Sequence, residues 1–385
     1  MRILYVISEL GFAGAEKQLV ELAKQLAERG HEVAIYTLNR EVQRESALEG
    51  SAVTLIVDQK RAKLDPAVLW RLRKTIGRWR PDIIHGFLFD GDFYSRVAAL
   101  GSGIPVLNSE RNHDYRLSPT QNVAHRLTRA LARGVVANSF AGKAFAQRLF
   151  ALPPEHVHVV WNGLGLEKLE RQAATGTDFR SEFFGGRHLR IACLVGAIKP
   201  QKDYHLALET AARLIAADPA WRVLFVGDQL SMSDSYRRGQ RSDASDYKAG
   251  VLTHYERLGL RDKIKFAGLR TDAPAIVRQC DVLYVTSRHE GFPNAVLEAM
   301  GLGVPVVSTE YSDIRRILPF PGQVVARRSP EDIARAVIWA YAERDVIAAR
   351  QKQWVQAHAT IEKAAMELEN VYRKYIKSEP CAQPA

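Results

Sequence analysis

The sequence predicts two α/β domains, each built on an open parallel sheet with helices on both faces. Three observations carry this. At 385 residues the chain is about twice a usual domain length. It opens with a strand, turn, helix and second strand, and the same order starts afresh near residue 189.

The first unit runs from an apolar strand at 2–7 through a turn at 10–14 to a helix at 16–28, with Gly30 as a stop and a strand at 33–37. In that helix Leu19, Leu22, Ala23 and Leu26 recur at spacings of three and four, so one face is buried while Lys17, Glu21, Lys24 and Glu28 meet water. The restart has a strand at 189–195, a polar turn through Lys202, a helix at 206–217 and a strand at 223–227. Short apolar strands at 264–266, 282–286 and 304–307 follow, separated by helical stretches. After Pro330 the periodicity is helical only, and the last helix, 361–376, has no partner strand and is expected to cross back to the first domain. The predicted organisation is 1–162, a linker at 163–186, and 187–360, with 361–385 packing on the first domain. Residues 229–249, rich in Ser, Asp and Arg, predict a mobile loop.

Composition removes several classes. A hydrophobic share of 46% with 25% charged residues is that of a packed soluble protein. No apolar run approaches the roughly 20 residues of a spanning helix, and residues 3–7 are too few for a signal-peptide core, which predicts a cytoplasmic protein. Cys193, Cys280 and Cys381 are few, odd in number and widely spaced, so neither a disulfide framework nor a zinc knuckle is expected. The formal charge of +11 favours polyanionic partners without choosing among nucleic acid, anionic lipid and phosphorylated substrates.

The most informative stretch is Glu290-Gly291-Phe292-Pro293-Asn294-Ala295-Val296-Leu297-Glu298. It predicts a strand, a tight loop and a helix opening at Pro293, with the amides of Asn294, Ala295 and Val296 pointing out at the carboxyl end of a parallel strand, where phosphates bind. Glu290 and Glu298 bracket that anion site and can accept hydrogen bonds from sugar or ribose hydroxyls. In the turn Gly196-Ala197-Ile198-Lys199-Pro200-Gln201-Lys202, two lysines are placed to neutralise a diphosphate leaving group. Gly14, in the turn after the first strand, lets the backbone approach a ligand.

With Asp281 to Arg288 before it and Gly303-Val304-Pro305-Val306-Val307 after it, the 290–298 stretch resembles the E-x7-E signature of the retaining glycosyltransferase family numbered four, whose GT-B fold sets two Rossmann-like domains, with parallel sheets, facing across a cleft. The resemblance implies a retaining, metal-independent enzyme moving a hexose-type sugar from a nucleotide diphosphate donor, a UDP-sugar before a GDP-sugar, with no further cofactor. It implies that Glu298 binds ribose, that Glu290 contacts the sugar, and that Gly291, Phe292, Pro293, Asn294 and Ala295 line the donor together with Gly14, Gly196 and Gly268. Lys202 falls on the family lysine, but Ala197 stands where the family has arginine, which leaves Lys199 as the candidate second cation. His113 is the candidate for the family's functional histidine, with Arg111 and Glu110 as alternatives for that place. In such enzymes the leaving phosphate itself helps to deprotonate the acceptor on the same face of the sugar, so no dedicated protein base is needed. The family's habits, with the basic helix before Pro81, favour a lipid-linked saccharide or other glycan acceptor.

Three rival readings are weaker. An NAD-dependent oxidoreductase lacks support because the 11–14 turn has no G-x-G-x-x-G spacing and no acid follows the second strand. Asp90-Gly91-Asp92 has the form of a D-x-D metal site, but a pair without other oxygen ligands is expected to cap a helix at 94–100. A basic membrane- or nucleic-acid-binding protein without catalysis is suggested by Lys60, Arg61, Lys63, Arg71, Arg73, Lys74, Arg78 and Arg80, interleaved with Leu69, Trp70, Ile76 and Trp79; no recognised nucleic-acid module accompanies them, so no nucleic-acid partner is expected, and the stretch reads as a surface for anionic lipid at the inner face of a membrane, or as a solvated helix face.

Overall fold

The computed structural model describes residues 1–112, 117–174, 176–186, 188–228 and 234–377, without the side chains of 234–245 and 377. The chain forms two compact units, Met1–Gly163 with the terminal helix Ile361–Lys377, and Leu164–Thr360.

In the first unit seven parallel strands, β1 (Arg2–Ile7), β2 (Glu32–Thr37), β3 (Thr54–Val57), β4 (Ile83–Phe87), β5 (Val106–Glu110), β6 (Gly134–Ala137) and β7 (Val157–Val159), lie in the order β3-β2-β1-β4-β5-β6-β7. The order reverses between β1 and β4, which pair from Ile3 against Ile83 to Ile7 against Phe87. Both faces of β1 are buried, which is why its residues are apolar without alternation. The helix Pro66–Trp79 starts where Asp65 accepts the Ala67 amide and Pro66 sits at the first turn; it stops at Arg80 in the left-handed region. The terminal helix packs Ile361, Ala364, Ala365, Leu368 and Tyr372 into the same core as Leu19, Leu22 and Leu26 of Gly14–Glu28. Arg29 and Arg373 both bind the Glu369 carboxylate at that seam.

In the second unit six parallel strands, β8 (Arg190–Val195), β9 (Trp221–Val226), β10 (Ile264–Gly268), β11 (Val282–Val285), β12 (Val306–Thr309) and β13 (Val324–Val325), take the order β10-β9-β8-β11-β12-β13. The reversal here falls between β8 and β11. β12 begins at Val306, not at 304, because Pro305 and Val304 are used elsewhere: the Pro305 carbonyl accepts the Leu283 amide and the Val304 amide binds Ala299.

Two expected irregular stretches are helical. The 163–186 segment holds helices Leu166–Ala173 and Phe179–Phe184, and Leu166 and Leu169 lie under Gly301 of the second unit. Its polar residues are the outer face of a packed element, with Asp178 capping the second helix. The 229–249 loop is replaced from 234 onward by a helix, Asp234–Leu258. There Tyr247, Val251, Tyr255 and Leu258, three and four apart, pack on the core, a stripe that the surrounding polar composition hides. Among the described residues no helix is long and apolar enough to cross a membrane.

Candidate active site

The carboxyl ends of β8 and β11 carry the two predicted loops, and the structure brings their charged residues into contact. Lys202 Nζ lies 2.6 Å from Glu290 Oε1, with both side chains partly open to solvent. Ser287 Oγ donates to the same oxygen at 2.8 Å, and Gln201 Nε2 donates to Oε2 at 3.1 Å and to the His289 carbonyl at 2.8 Å. The loops are also stitched along the backbone, where the Arg288 amide donates to Gln201 O and Thr286 Oγ1 to Lys202 O. Glu290 is therefore oriented by three donors on two segments almost ninety residues apart.

Behind this pair stands a group that local sequence gave no sign of. Arg328 donates to Asp203 Oδ2 at 2.7 Å, to Thr286 O at 2.7 Å and to Ser287 O at 2.8 Å. Arg288 reaches the same Asp203 oxygen at 3.0 Å. Asp203 follows Lys202 directly, and Ser287 is a Glu290 donor, so Arg328 ties the lysine loop to the glutamate loop. The Asp203 side chain also caps the following helix by accepting the Leu206 amide; its arginine partner lies 125 positions on.

Glycines close the base of the site. Gly227 has φ 134° and an added Cβ would lie 2.2 Å from the Gly196 carbonyl oxygen, so a side chain fits there neither in conformation nor in space. A Cβ on Gly196 would lie 2.9 Å from Lys202 Cε, which keeps that turn open for the lysine stem. Gly268, at the end of β10, accepts the Gly227 amide.

The helix start differs in detail from expectation. Pro293 is the capping residue before the helix Asn294–Leu302, not its first residue, and its carbonyl accepts the Val296 amide at 3.1 Å, so that amide is not turned outward. Gly291, Phe292 and Pro293 are buried, Asn294, Ala295 and Glu298 half-buried, and Ser312 Oγ donates to the Gly291 carbonyl. Tyr311 beneath the loop is held neutral, first by burial and then by the Glu290 charge. Lys199 is half-buried at the head of the turn, its carbonyl taken by the Lys202 amide. Gly14 lies in the first unit, where it opens the helix Gly14–Glu28 instead of sitting in a free loop. His113 lies outside the described residues.

Of the two alternatives for its place, Glu110 is buried and accepts the Asn112 amide. Arg111 stacks over Phe87 at 4.5 Å and donates to Asn162 and Ser109; burial pushes its guanidinium down to about 10. Asp90 and Asp92 do not cap a helix: both lie inside Leu88–Ala98. Two positions apart on a helix the acids do not face each other, and Gly91 between them is pressed so closely on β1 that a Cβ would be 2.3 Å from Val6 O. Asp90 binds Lys60, while Asp92 accepts Asn108 Nδ2 at 2.9 Å and is pushed up to about 7 by burial. Among the described residues no three His, Cys, Asp or Glu side chains gather as a metal site. The basic stripe is also partly spent on structure: Lys60 is paired, Arg71 binds Asp58, and Arg73 donates to the carbonyls of Ala98 and Leu100. Ile76 is core, and Trp70 is the tryptophan that stands exposed, under Lys74.

Comparison with known proteins agrees with this architecture. The profile of Glycosyltransferase Family 4 matches residues 12–168, and that of Glycosyl transferases group 1 matches 190–343. The chain is 24% identical over 350 residues, 84% of its length and 83% of the relative's, to the GDP-mannose:cellobiosyl-diphosphopolyprenol alpha-mannosyltransferase of Xanthomonas campestris. It is 24% identical over 267 residues, 66% of its length and 62% of the relative's, to the UDP-Gal:alpha-D-GlcNAc-diphosphoundecaprenol alpha-1,3-galactosyltransferase of Escherichia coli. The crystal structure of Anabaena HepE in complex with UDP superposes with a TM-score of 0.80 at 20% identity, covering 97% of this chain and all of that one. Two consecutive family matches, one on each parallel-sheet unit, together with this fold, make the chain a GT-B glycosyltransferase of family 4.

Proposed function

We propose that the protein is a retaining hexosyltransferase that takes its sugar from a UDP-sugar, without a metal ion, and delivers it to a lipid-linked saccharide of the diphosphate-polyprenol kind. The observation that carries this reading is the Lys202–Glu290 contact at the carboxyl ends of β8 and β11, beside the helix opening at Asn294. The donor's diphosphate lies against that helix start and the 196–202 turn, with Lys202 and Lys199 as its cations. Glu290 holds the sugar and Glu298 the ribose. As the bond from C1 of the sugar to the phosphate oxygen breaks, the leaving diphosphate takes the electron pair; Lys202 neutralises the growing charge. The acceptor oxygen bonds to C1 on the same face and its proton passes to the departing phosphate. Retention is supported by the α-linked products named for the relatives. Metal independence is supported by Asp90 and Asp92, which are turned apart and engaged by protein partners.

The relatives' names support a diphosphate-linked lipid acceptor, held by the first unit at the inner face of a membrane. Exposed Trp70 and Lys74 on Pro66–Trp79 are the contact to anionic lipid. A GDP-sugar donor is the second reading, favoured by the Xanthomonas relative, which matches over more of the chain than the galactosyltransferase does. Nucleotide release from UDP-glucose, UDP-galactose and GDP-mannose, followed with membrane lipid extract as acceptor and with EDTA present, separates them. Release of UDP with an α-linked product is expected; turnover of GDP-mannose alone moves the assignment to the second reading, and turnover or binding of none removes both.

A further inference from the structure

The carboxyl edge of the first unit carries a second polar depression, remote in sequence from the residues assigned to the donor in the second unit. It is a surface pocket of about 510 Å³ lined by Arg40, Val57, Asp58, Gln59, Arg61 and Arg71. Its position follows from register: Thr37 pairs with Val57, so the residues that follow β2 and β3 leave the sheet together. Arg71 comes up to them from the helix Pro66–Trp79.

The charges are unequal in their freedom. Asp58, the one acid in the lining, is saturated by donors: Arg71 Nε reaches both of its oxygens at 2.9 and 3.0 Å, the Gln59 amide donates at 2.6 Å, and the Tyr36 hydroxyl binds it from the core side. That carboxylate fixes the Arg71 guanidinium in place and has little capacity left for another cation. Lys60 turns the other way, to Asp90, and its side chain is buried. Arg40 and Arg61 stay exposed on the rim. The lining therefore has a net charge of two positive, with one guanidinium held by Asp58 and two exposed at the rim, the residue type best suited to bidentate capture of phosphate oxygens.

We propose that this pocket binds a diphosphate group, that of the acceptor, through Arg40 and Arg61, with Arg71 as the fixed wall. The assignment rests on the reading of the chain as a transferase to a diphosphate-linked acceptor and adds where that acceptor's charge is held. An anionic lipid headgroup offers the same phosphate chemistry, so the test separates the two sources.

Inorganic pyrophosphate is titrated calorimetrically into the full chain saturated with UDP, for the wild type, Arg40→Gln/Arg61→Gln and Lys202→Gln. Both arginines are exposed, so the double variant should fold, which circular dichroism checks. Affinity is expected to fall about tenfold or more in the double variant, as loss of two charge-assisted contacts implies, and to stay within twofold in Lys202→Gln. Equal affinity in wild type and double variant overturns the proposal. Vesicles of phosphatidylcholine with phosphatidylglycerol supply the second arm: the double variant should bind them as the wild type does. Loss of vesicle binding with pyrophosphate affinity unchanged assigns the arginines to lipid headgroups and also overturns it. Absence of UDP binding in the wild type counts against the donor reading alone; pyrophosphate is then titrated into the UDP-free chain, where the same fall in the double variant is expected and equal affinity again overturns the pocket.

Discussion

The two sheets reverse strand order at equivalent places, yet what fills each place is different. Above β8 and β11 in the second unit, Lys202 and Glu290 meet in a polar, partly open setting held by Gln201, Ser287 and Arg328. Between β1 and β4 in the first unit, the side chains are sealed. His85 Nδ1 is 2.6 Å from the Tyr372 hydroxyl and its Nε2 2.8 Å from Ser109 Oγ, while Tyr372 donates to Tyr5 at 3.0 Å. Burial, and then the Arg111 charge, keeps His85 neutral. The cause is the terminal helix Ile361–Lys377, which lays Tyr372 against β1 and β4. The comparison teaches that one topology supplies an open polar edge or a sealed structural seam, according to whether a later element covers the polar groups and completes their hydrogen bonds.

The contrast can be broken most directly at its open end. Lys202→Ala is expected to lower kcat/KM for sugar transfer by about 10²–10³, the scale for removing one charge that stabilises a developing anion, with the fold intact by circular dichroism; a loss below threefold would show that the lysine is ornamental. Next in size is a stability effect in the first unit. Because burial lets Asp92 keep its proton to about pH 7 in the folded chain, while the unfolded chain releases it near the ordinary 3.8, its contribution is full below that value and is lost as pH rises through about 7. Asp92→Asn should flatten the urea-measured decline in stability between pH 4.5 and 7.5 by up to about 3 kcal/mol, and an unchanged slope refutes the assignment.

Arg328 sharpens the comparison, since it ties the two loops together through Asp203, Thr286 and Ser287. Arg328→Ala should reduce kcat by about tenfold, with Arg328→Lys recovering part of it and nucleotide affinity moving less than threefold; a simple fall in stability without the kcat effect would make it structural only. Glu298→Ala is expected to weaken UDP binding about tenfold, near 1.4 kcal/mol, by calorimetry. The smallest effect belongs to the seam: Tyr372→Phe removes one buried hydroxyl and should cost about 1 kcal/mol of stability while leaving transfer rates unaltered, whereas a rate change would mean that the seam reaches the chemistry.

Much of this was legible in the amino-acid order, for a definable reason. Buried parallel strands are apolar runs, and their helices alternate faces every three or four residues, so the restart near 189 and the two sheets could be read from local periodicity alone. Glycines in turns and the 290–298 stretch likewise announce themselves over a few residues. The helix Asp234–Leu258 escaped because its apolar stripe is narrow and lies among polar residues, and Pro293 was set one position too far into its helix because proline suits either place.

What only the tertiary structure decided is who meets whom. That Lys202 touches Glu290, that Arg328 joins their two loops, that Asp92 is buried away from Asp90, and that Arg71 uses its charge on Asp58 while Arg40 and Arg61 keep theirs are all matters of chain segments brought together from tens of positions apart. Propensity and spacing act over one or two turns, whereas the strength of a charge depends on the burial and the partners it finds after folding, and these are set by packing across the whole unit.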